Sequence, residues 1–152
     1  MSDELRDLYQ EVILDHNRRP RNFGTLPDAN RSAEGSNPLC GDRVTVYLRV
    51  EDGRVQDISF QGAGCAISTA SASLMTEALR GKSVEEAHAL FRGFRELVVR
   101  GKREANGDPE DLGKLAVFEG VREFPIRVKC ATLAWHTFEA ALRQQDQPVS
   151  TE

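Results

Sequence analysis

The sequence predicts an α+β fold, in which a small antiparallel β-sheet of about three strands packs against several α-helices. Residues 43–50 alternate apolar and polar side chains, which is typical of a strand buried on one face. The pair Asp52-Gly53 is a hairpin signal, and residues 55–61 supply the returning strand. Residues 3–16 instead repeat apolar side chains every three or four positions, which predicts an amphipathic helix.

Proline, glycine and capping signals predict where the other elements begin and end. The first helix ends before Pro20, because proline disfavours helical geometry in the residue that precedes it. The weakly patterned residues 29–36 are compatible with a short edge strand. The rest of the chain predicts a helix from Cys65 to about Leu79 and a second helix to about Val99, which a capping box at residues 83–86 opens. A charged loop over 101–108 follows. A short helix from Pro109 to Phe118 is ended by Gly120, and a last helix begins after Pro125.

Length and composition predict one domain. The chain has 152 residues, of which 39% are hydrophobic and 29% are charged, a mixture that can bury a single core. We expect one domain over residues 1–143 and a frayed polar tail over residues 144–152.

Charge and hydropathy exclude several classes of function. The formal net charge of −4 argues against a nucleic-acid-binding protein, which needs a basic face for phosphates. No apolar run approaches the roughly 20 residues that span a bilayer. The first residues are acidic where a signal peptide would be basic, so we expect a cytoplasmic protein that binds neither nucleic acid nor membrane.

Three cysteines and one aspartate are the candidate site residues. Cys40 and Asp42 share a glycine-bearing turn before a strand, Cys65 starts a helix where a thiolate is favoured, and Cys130 lies in the last helix. Three thiolates and a carboxylate make the four ligands that a tetrahedral zinc site takes. The spacing is not the local Cys-x-x-Cys of a zinc ribbon, so metal ligands and buried inert thiols both stay open.

The three histidines are expected to have structural roles. His16 ends the first helix, where a cation suits the helix dipole. His88 is expected to be solvated. His136 is poorly aligned with Cys130 on one helical face, so we expect it to pack or to hydrogen-bond near the site.

Two basic residues, Arg127 and Lys129, flank Cys130. They form either a solvated face or an electrostatic support for a metal site whose four anionic ligands carry more charge than the metal neutralises.

Five segments of the chain carry motifs that can be compared with known families. They are Asn37-Pro38-Leu39-Cys40-Gly41-Asp42, Gly62-Ala63-Gly64-Cys65-Ala66-Ile67-Ser68, Arg127-Val128-Lys129-Cys130-Ala131, and the opening stretches over residues 8–16 and 20–24. These segments closely resemble the U-type iron–sulfur assembly proteins, the SufU/IscU family. The resemblance runs from about residue 5 to residue 142 and keeps the cysteines in order.

The chain is more similar to the SufU branch of that family than to the IscU branch. The IscU branch has a histidine immediately before its third cysteine, where this chain has Lys129, and a double proline where this chain has only Pro125. The SufU branch has an extra stretch between the second and third cysteines, and residues 83–103 would be that helical insert.

The resemblance implies a SufE/IscU-like fold and a role in iron–sulfur cluster assembly. It implies zinc held by Cys40, Asp42, Cys65 and Cys130. Cys40 would take persulfide sulfur from a SufS-like cysteine desulfurase and pass it to downstream assembly or recipient proteins, as a zinc-dependent sulfurtransferase. The alternative is a scaffold on which iron and sulfide are built into a [2Fe–2S] cluster for transfer to apo-proteins.

A third class of function, a Cys/His hydrolase, would need a local nucleophile–histidine signature, which the sequence lacks.

Overall fold

A computed structural model describes residues 3–100, 113–144 and 149–150 of the chain. Its elements are α1 (Asp3–Arg18), β1 (Arg31–Asn37), β2 (Asp42–Glu51), β3 (Arg54–Ala63), α2 (Ala66–Leu79), α3 (Val84–Arg100), a 3₁₀ helix (Gly113–Glu123), α4 (Pro125–Leu142) and β4 (Val149–Ser150). The predicted α+β class is confirmed.

The sheet is an antiparallel meander with a short addition at one edge. Its order is β3-β2-β1-β4, with β1, β2 and β3 antiparallel as predicted. The weakly patterned residues 29–36 correspond to β1, which lies between β2 and the two-residue parallel strand β4. Asp52 and Gly53 form the predicted hairpin turn with φ angles of 54° and 72°, which suit the twist of antiparallel strands.

The core lies between one face of the sheet and the helices α2, α3 and α4. Alternate residues of β2 from Val44 to Val50 are buried, as the sequence pattern predicts. The largest buried side chains come from the helical side: Phe94, Phe118, Trp135 and Phe138.

A glycine lets the last helix approach the sheet closely. A Cβ atom on Gly35 in β1 would overlap the hydroxyl oxygen of Thr137 in α4. The Thr137 hydroxyl donates to the carbonyl oxygen of Leu133 at 2.8 Å, so it is held in place by its own helix. Close packing of α4 on β1 brings the first half of α4 beside the β1–β2 turn.

A buried hydrogen-bond chain joins α2 to α4. The Ser71 hydroxyl donates to the carbonyl oxygen of Ala131 at 2.5 Å and accepts from Trp135 Nε1 at 3.2 Å. The helix that follows Cys65 and the helix that contains Cys130 are therefore fixed relative to one another.

The predicted start of α3 is confirmed, and the predicted end of the short helix is wrong. Ser83 and Glu86 make the reciprocal hydrogen bonds of a capping box, both 3.1 Å long. Gly120 does not end the following helix, because a 3₁₀ helix runs through it to Glu123. The predicted loop over 101–108 and the helix start at Pro109 lie outside the described residues.

The tail that we predict to be frayed is described only in part. Within residues 144–152, the structure gives Gln144 and the strand β4, in which Val149 and Ser150 pair with Gly35 and Ser36.

Of residues 83–103, which the family resemblance would make a helical insert, Val84–Arg100 form the helix α3.

Of the helices that the structure describes, none combines the length and the apolar character needed to cross a membrane.

Candidate metal centre

The β1–β2 turn and α4 bring Cys40, Asp42 and Cys130 together. Cys40 lies in the turn, Asp42 is the first residue of β2, and Cys130 lies in the second turn of α4. One ligand atom from each residue lies within 4.8 Å of the other two, and the Cys40 and Cys130 Sγ atoms are 3.1 Å apart. Cys130 and Asp42 are buried and Cys40 is half-buried, so Cys40 is the sulfur of this group that lies nearest to solvent.

Cys65 lies against the carboxylate of Asp42. It lies at the start of α2, as predicted, where it is the N-cap, and its sulfur accepts a hydrogen bond from the Ser68 N–H at 3.4 Å. The Cys65 N–H donates to Asp42 Oδ1 at 2.8 Å, and its sulfur is 3.9 Å from Asp42 Oδ2. Cys65 is thus adjacent to the group, although its sulfur falls outside the set of ligand atoms that all lie within 4.8 Å.

Gly64 leaves room for the Asp42 carboxylate. A Cβ atom on Gly64 would lie 2.5 Å from Asp42 Oδ1 and 3.0 Å from its Cγ. Asp42 is only 1% exposed, and its carboxylate packs directly against the backbone at Gly64. The Cys65 N–H orients one of the carboxylate oxygens.

Asn37 is a site residue that the sequence reasoning did not single out. It is fully buried, its Nδ2 lies 3.7 Å from Cys130 Sγ, and its Oδ1 accepts from the Leu39 N–H at 3.3 Å. One amide side chain thus shapes the turn that carries Cys40 and contacts the sulfur on α4. An asparagine that begins a tight turn is a recognised signal for such a bond, because its side chain can hydrogen-bond the backbone two residues on.

The chemistry of the donors fits a thiophilic divalent cation. Burial raises the pKa of the Cys130 thiol, and its hydrogen bonds with Cys40 and Asp42 raise it further. A bound cation reverses this preference, because it stabilises thiolate ligands directly. Sulfur ligands with one carboxylate oxygen are within the ligand chemistry of zinc, and Cys40, Asp42, Cys65 and Cys130 supply such a set.

Arg127 provides positive charge beside the cysteines. The negative charge of Cys65 raises the pKa of Arg127, with further contributions from Cys130 and Cys40. Its guanidinium is largely exposed, so solvent screens the interaction. Arg127 is exposed and also close enough to the cysteines to interact with their charge, so the solvated face and the electrostatic support of the site both stay predictions.

An apolar cleft opens beside Cys40 and was not predicted. Leu39, Phe124 and Ile126 are 63%, 60% and 57% exposed. With Cys40, Arg127 and their neighbours they line a cleft of about 580 Å³.

The histidines have structural roles, but two of them differ from expectation. His16 is not a solvated cation at a helix end: it is 2% exposed, its Nδ1 lies 2.7 Å from Ser73 Oγ, and burial lowers its pKa. His88 is only partly solvated, with Nδ1 2.6 Å from the Glu139 carboxylate. His136 packs edge-to-face on Phe91, which confirms a packing role.

Comparison with known proteins identifies relatives along almost the whole chain. The family model described as the NifU-like N terminal domain matches residues 8–144. The zinc-dependent sulfurtransferase SufU of Bacillus subtilis is 40% identical over 142 residues, which are 93% of this chain and 94% of that protein. The iron–sulfur cluster assembly scaffold protein IscU of Thermotoga maritima is 43% identical over 141 residues, which are 93% and 96% of the two chains.

A solved structure has the same fold. It is the crystal structure of FiSufU from Fervidobacterium islandicum AW-1, which is described as an iron–sulfur cluster assembly scaffold protein for the SUF system. It aligns with a TM-score of 0.80 at 36% sequence identity and covers 90% of this chain and 98% of that one.

Proposed function

The chain belongs to the NifU-like N-terminal domain family, and from this premise we propose that it is a zinc-bound sulfur acceptor in iron–sulfur cluster assembly. One observation carries the proposal: the half-buried thiol of Cys40 lies at a cleft while sharing a compact donor group with Asp42 and Cys130. A thiol placed in this way is reachable by a partner and has the neighbours that would let it serve as a metal ligand.

Cys40, Asp42, Cys65 and Cys130 would hold zinc. The metal would keep the cysteine sulfurs deprotonated, which is the form that acts as nucleophile and as ligand. Asp42 is the hard oxygen ligand among soft sulfurs, and the Cys65 N–H and the absence of a side chain at Gly64 orient it.

The sulfur would come from a cysteine desulfurase, which strips it from L-cysteine and carries it as a persulfide. The Cys40 thiolate attacks the outer sulfur of that persulfide. The sulfur–sulfur bond of the donor breaks, the desulfurase thiolate leaves, and Cys40 carries the new persulfide. Cys40 is assigned this role because Cys130 is fully buried, whereas Cys40 borders the cleft.

Two measurements on the purified chain test the proposal. The first is metal and acid-labile sulfide content, with Cys40→Ser as the comparison. About one zinc per chain without sulfide, reduced in the variant, is the expected result. The second is the rate of a SufS-like desulfurase, which the wild type should accelerate and Cys40→Ser should not. No zinc, or full acceleration by Cys40→Ser, would refute the proposal.

Asp42→Ala tests the carboxylate separately. We expect lower zinc retention and slower sulfur transfer in this variant, because the site loses one ligand. Unchanged zinc content together with unchanged transfer would remove Asp42 from the mechanism.

A scaffold is the second candidate, because the T. maritima relative is named as one at 43% identity. In that case iron and sulfide are the cargo assembled at the same residues. Iron with matching sulfide in the purified protein, and cluster transfer to an apo-protein, would favour the scaffold over the sulfur acceptor.

A further inference from the structure

The two sulfurs of Cys40 and Cys130 are in direct contact. Their Sγ atoms are 3.1 Å apart although the residues are 90 positions apart in the chain. A disulfide bond is about 2.05 Å long, so an approach of about 1 Å would join them. We propose that this pair is an oxidation site, at which a hydroperoxide converts Cys40 and Cys130 into an intramolecular disulfide that takes two sulfurs away from the metal centre.

The contacts of the third cysteine favour this pair over the alternatives. The Cys65 sulfur accepts the Ser68 N–H and lies beside Asp42 Oδ2, at 3.4 and 3.9 Å. The Cys65 sulfur therefore contacts the first turn of α2 and the Asp42 carboxylate, whereas the Cys40 and Cys130 sulfurs contact one another. The disulfide is expected between these two alone, with Cys65 left as a thiol.

The difference in burial sets the order of the two steps. Cys40 is half-buried and borders the cleft, so the peroxide meets it first. The Cys40 thiol and hydrogen peroxide give a sulfenic acid and one water, with transfer of one oxygen atom to sulfur. The Cys130 thiol then attacks that sulfur, a sulfur–sulfur bond forms, and the sulfenic oxygen leaves as a second water. Two electrons pass from the two thiols to the peroxide.

The movement that brings the two sulfurs to bonding distance is expected in the turn that carries Cys40 rather than in α4. Cys130 is fully buried in α4, and Asn37 Nδ2 contacts its sulfur at 3.7 Å. Cys40 lies in a turn whose neighbours Leu39 and Gly41 are exposed, and its N–H makes one bond of 3.2 Å to the carbonyl oxygen of Asn37. A shift of about 1 Å in an exposed turn disturbs little packing.

The disulfide should weaken zinc binding, because it removes two of the four proposed ligands. Only Asp42 and Cys65 remain. Loss of one supporting contact around a metal typically weakens binding 10–100-fold, so loss of two ligands should weaken zinc binding by more than about 100-fold. The disulfide itself rests on the two thiols and not on the proposed sulfur transfer, so either can fail without the other.

The test is thiol mapping of the purified chain after chelator treatment and exposure to hydrogen peroxide. The free-thiol count should fall from three to one, and digestion should yield a peptide pair linked through Cys40 and Cys130. Dithiothreitol should restore all three thiols. Because the linked peptides are identified in the wild type, this result does not depend on any variant folding.

Matched variants and zinc loading complete the test. Cys65→Ser should still form the disulfide, whereas Cys40→Ser and Cys130→Ser should not. Prior loading with zinc should slow oxidation, and the oxidised chain should bind zinc more than about 100-fold more weakly. A disulfide to Cys65, disulfide-linked dimers, or a sulfinic acid on Cys40 beside a free Cys130 would overturn the proposal.

Discussion

Replacing Gly64 by alanine is the most direct probe of how the site is built. The added Cβ would lie 2.5 Å from Asp42 Oδ1, about 0.9 Å closer than the 3.4 Å at which ordinary van der Waals contact begins. The clash involves the carboxylate of a buried residue, so relief requires the carboxylate to move. A movement of this size lengthens the 2.8 Å bond from the Cys65 N–H beyond hydrogen-bonding distance.

Two effects of Gly64→Ala follow. The free energy of unfolding without metal should fall by about 1.5–3 kcal/mol, because a partly buried hydrogen bond to a carboxylate is lost. Zinc affinity should fall about 10–100-fold, because the orienting contact of a proposed ligand is lost.

The assays are urea unfolding of the chelated protein and zinc competition against a chromophoric chelator. Gly120→Ala is the matched control, because a Cβ there meets no atom within 4 Å and its backbone needs no left-handed conformation. If Gly64→Ala matches Gly120→Ala in both assays, the inferred packing of the Asp42 carboxylate against Gly64 is wrong.

Three further predictions concern the frame around the site. Burial holds the pKa of His16 below its ordinary value of 6.5, so the folded state favours the neutral imidazole. The free energy of unfolding should therefore fall as the pH drops from about 7 to about 5, by at most about 1.4 kcal/mol per pH unit for this one group; His16→Asn should flatten that slope, and an unchanged slope in urea titrations would contradict the assignment. Ser71→Ala should destabilise the protein by about 1–3 kcal/mol, because it leaves the buried Trp135 Nε1–H without its acceptor; thermal unfolding at wild-type stability would argue against this bond. Gly35→Ala should cost about 1–3 kcal/mol through overlap with the Thr137 hydroxyl, and adding Thr137→Ala should recover part of that loss; strictly additive effects in a double-mutant cycle would exclude the contact.

Most of the secondary structure could be predicted because its signals are local. The alternation over residues 43–50, the Asp52-Gly53 turn and the capping box at Ser83 each depend on neighbours within a few positions, and the structure confirms all three. The end of the short helix was missed at Gly120. Glycine lowers helix propensity but does not forbid a 3₁₀ turn, and here Leu115, Val117, Phe118 and Val121 are buried on both sides of it.

The proposed metal ligands of the candidate site could be named from the sequence, but their arrangement and their neighbours could not. The residue types identified Cys40, Asp42, Cys65 and Cys130 as candidate metal ligands. The family resemblance predicted that these four residues form one site. Asn37 was missed because its role depends on a sulfur 93 positions away, and the burial of His16 was missed because Ser73, its partner, is 57 positions away.

By itself the sequence determined the order and type of the main elements, and the donor atoms available to a metal. These depend on side-chain chemistry and on the period of apolar residues, which are properties of the chain over short distances. Only the tertiary structure decided that the sulfurs of Cys40 and Cys130 touch, while Cys65 meets the Asp42 carboxylate. That outcome depends on how closely α4 packs on β1 at Gly35 and how Ser71 fixes α2 against α4, which are contacts between segments far apart in the sequence.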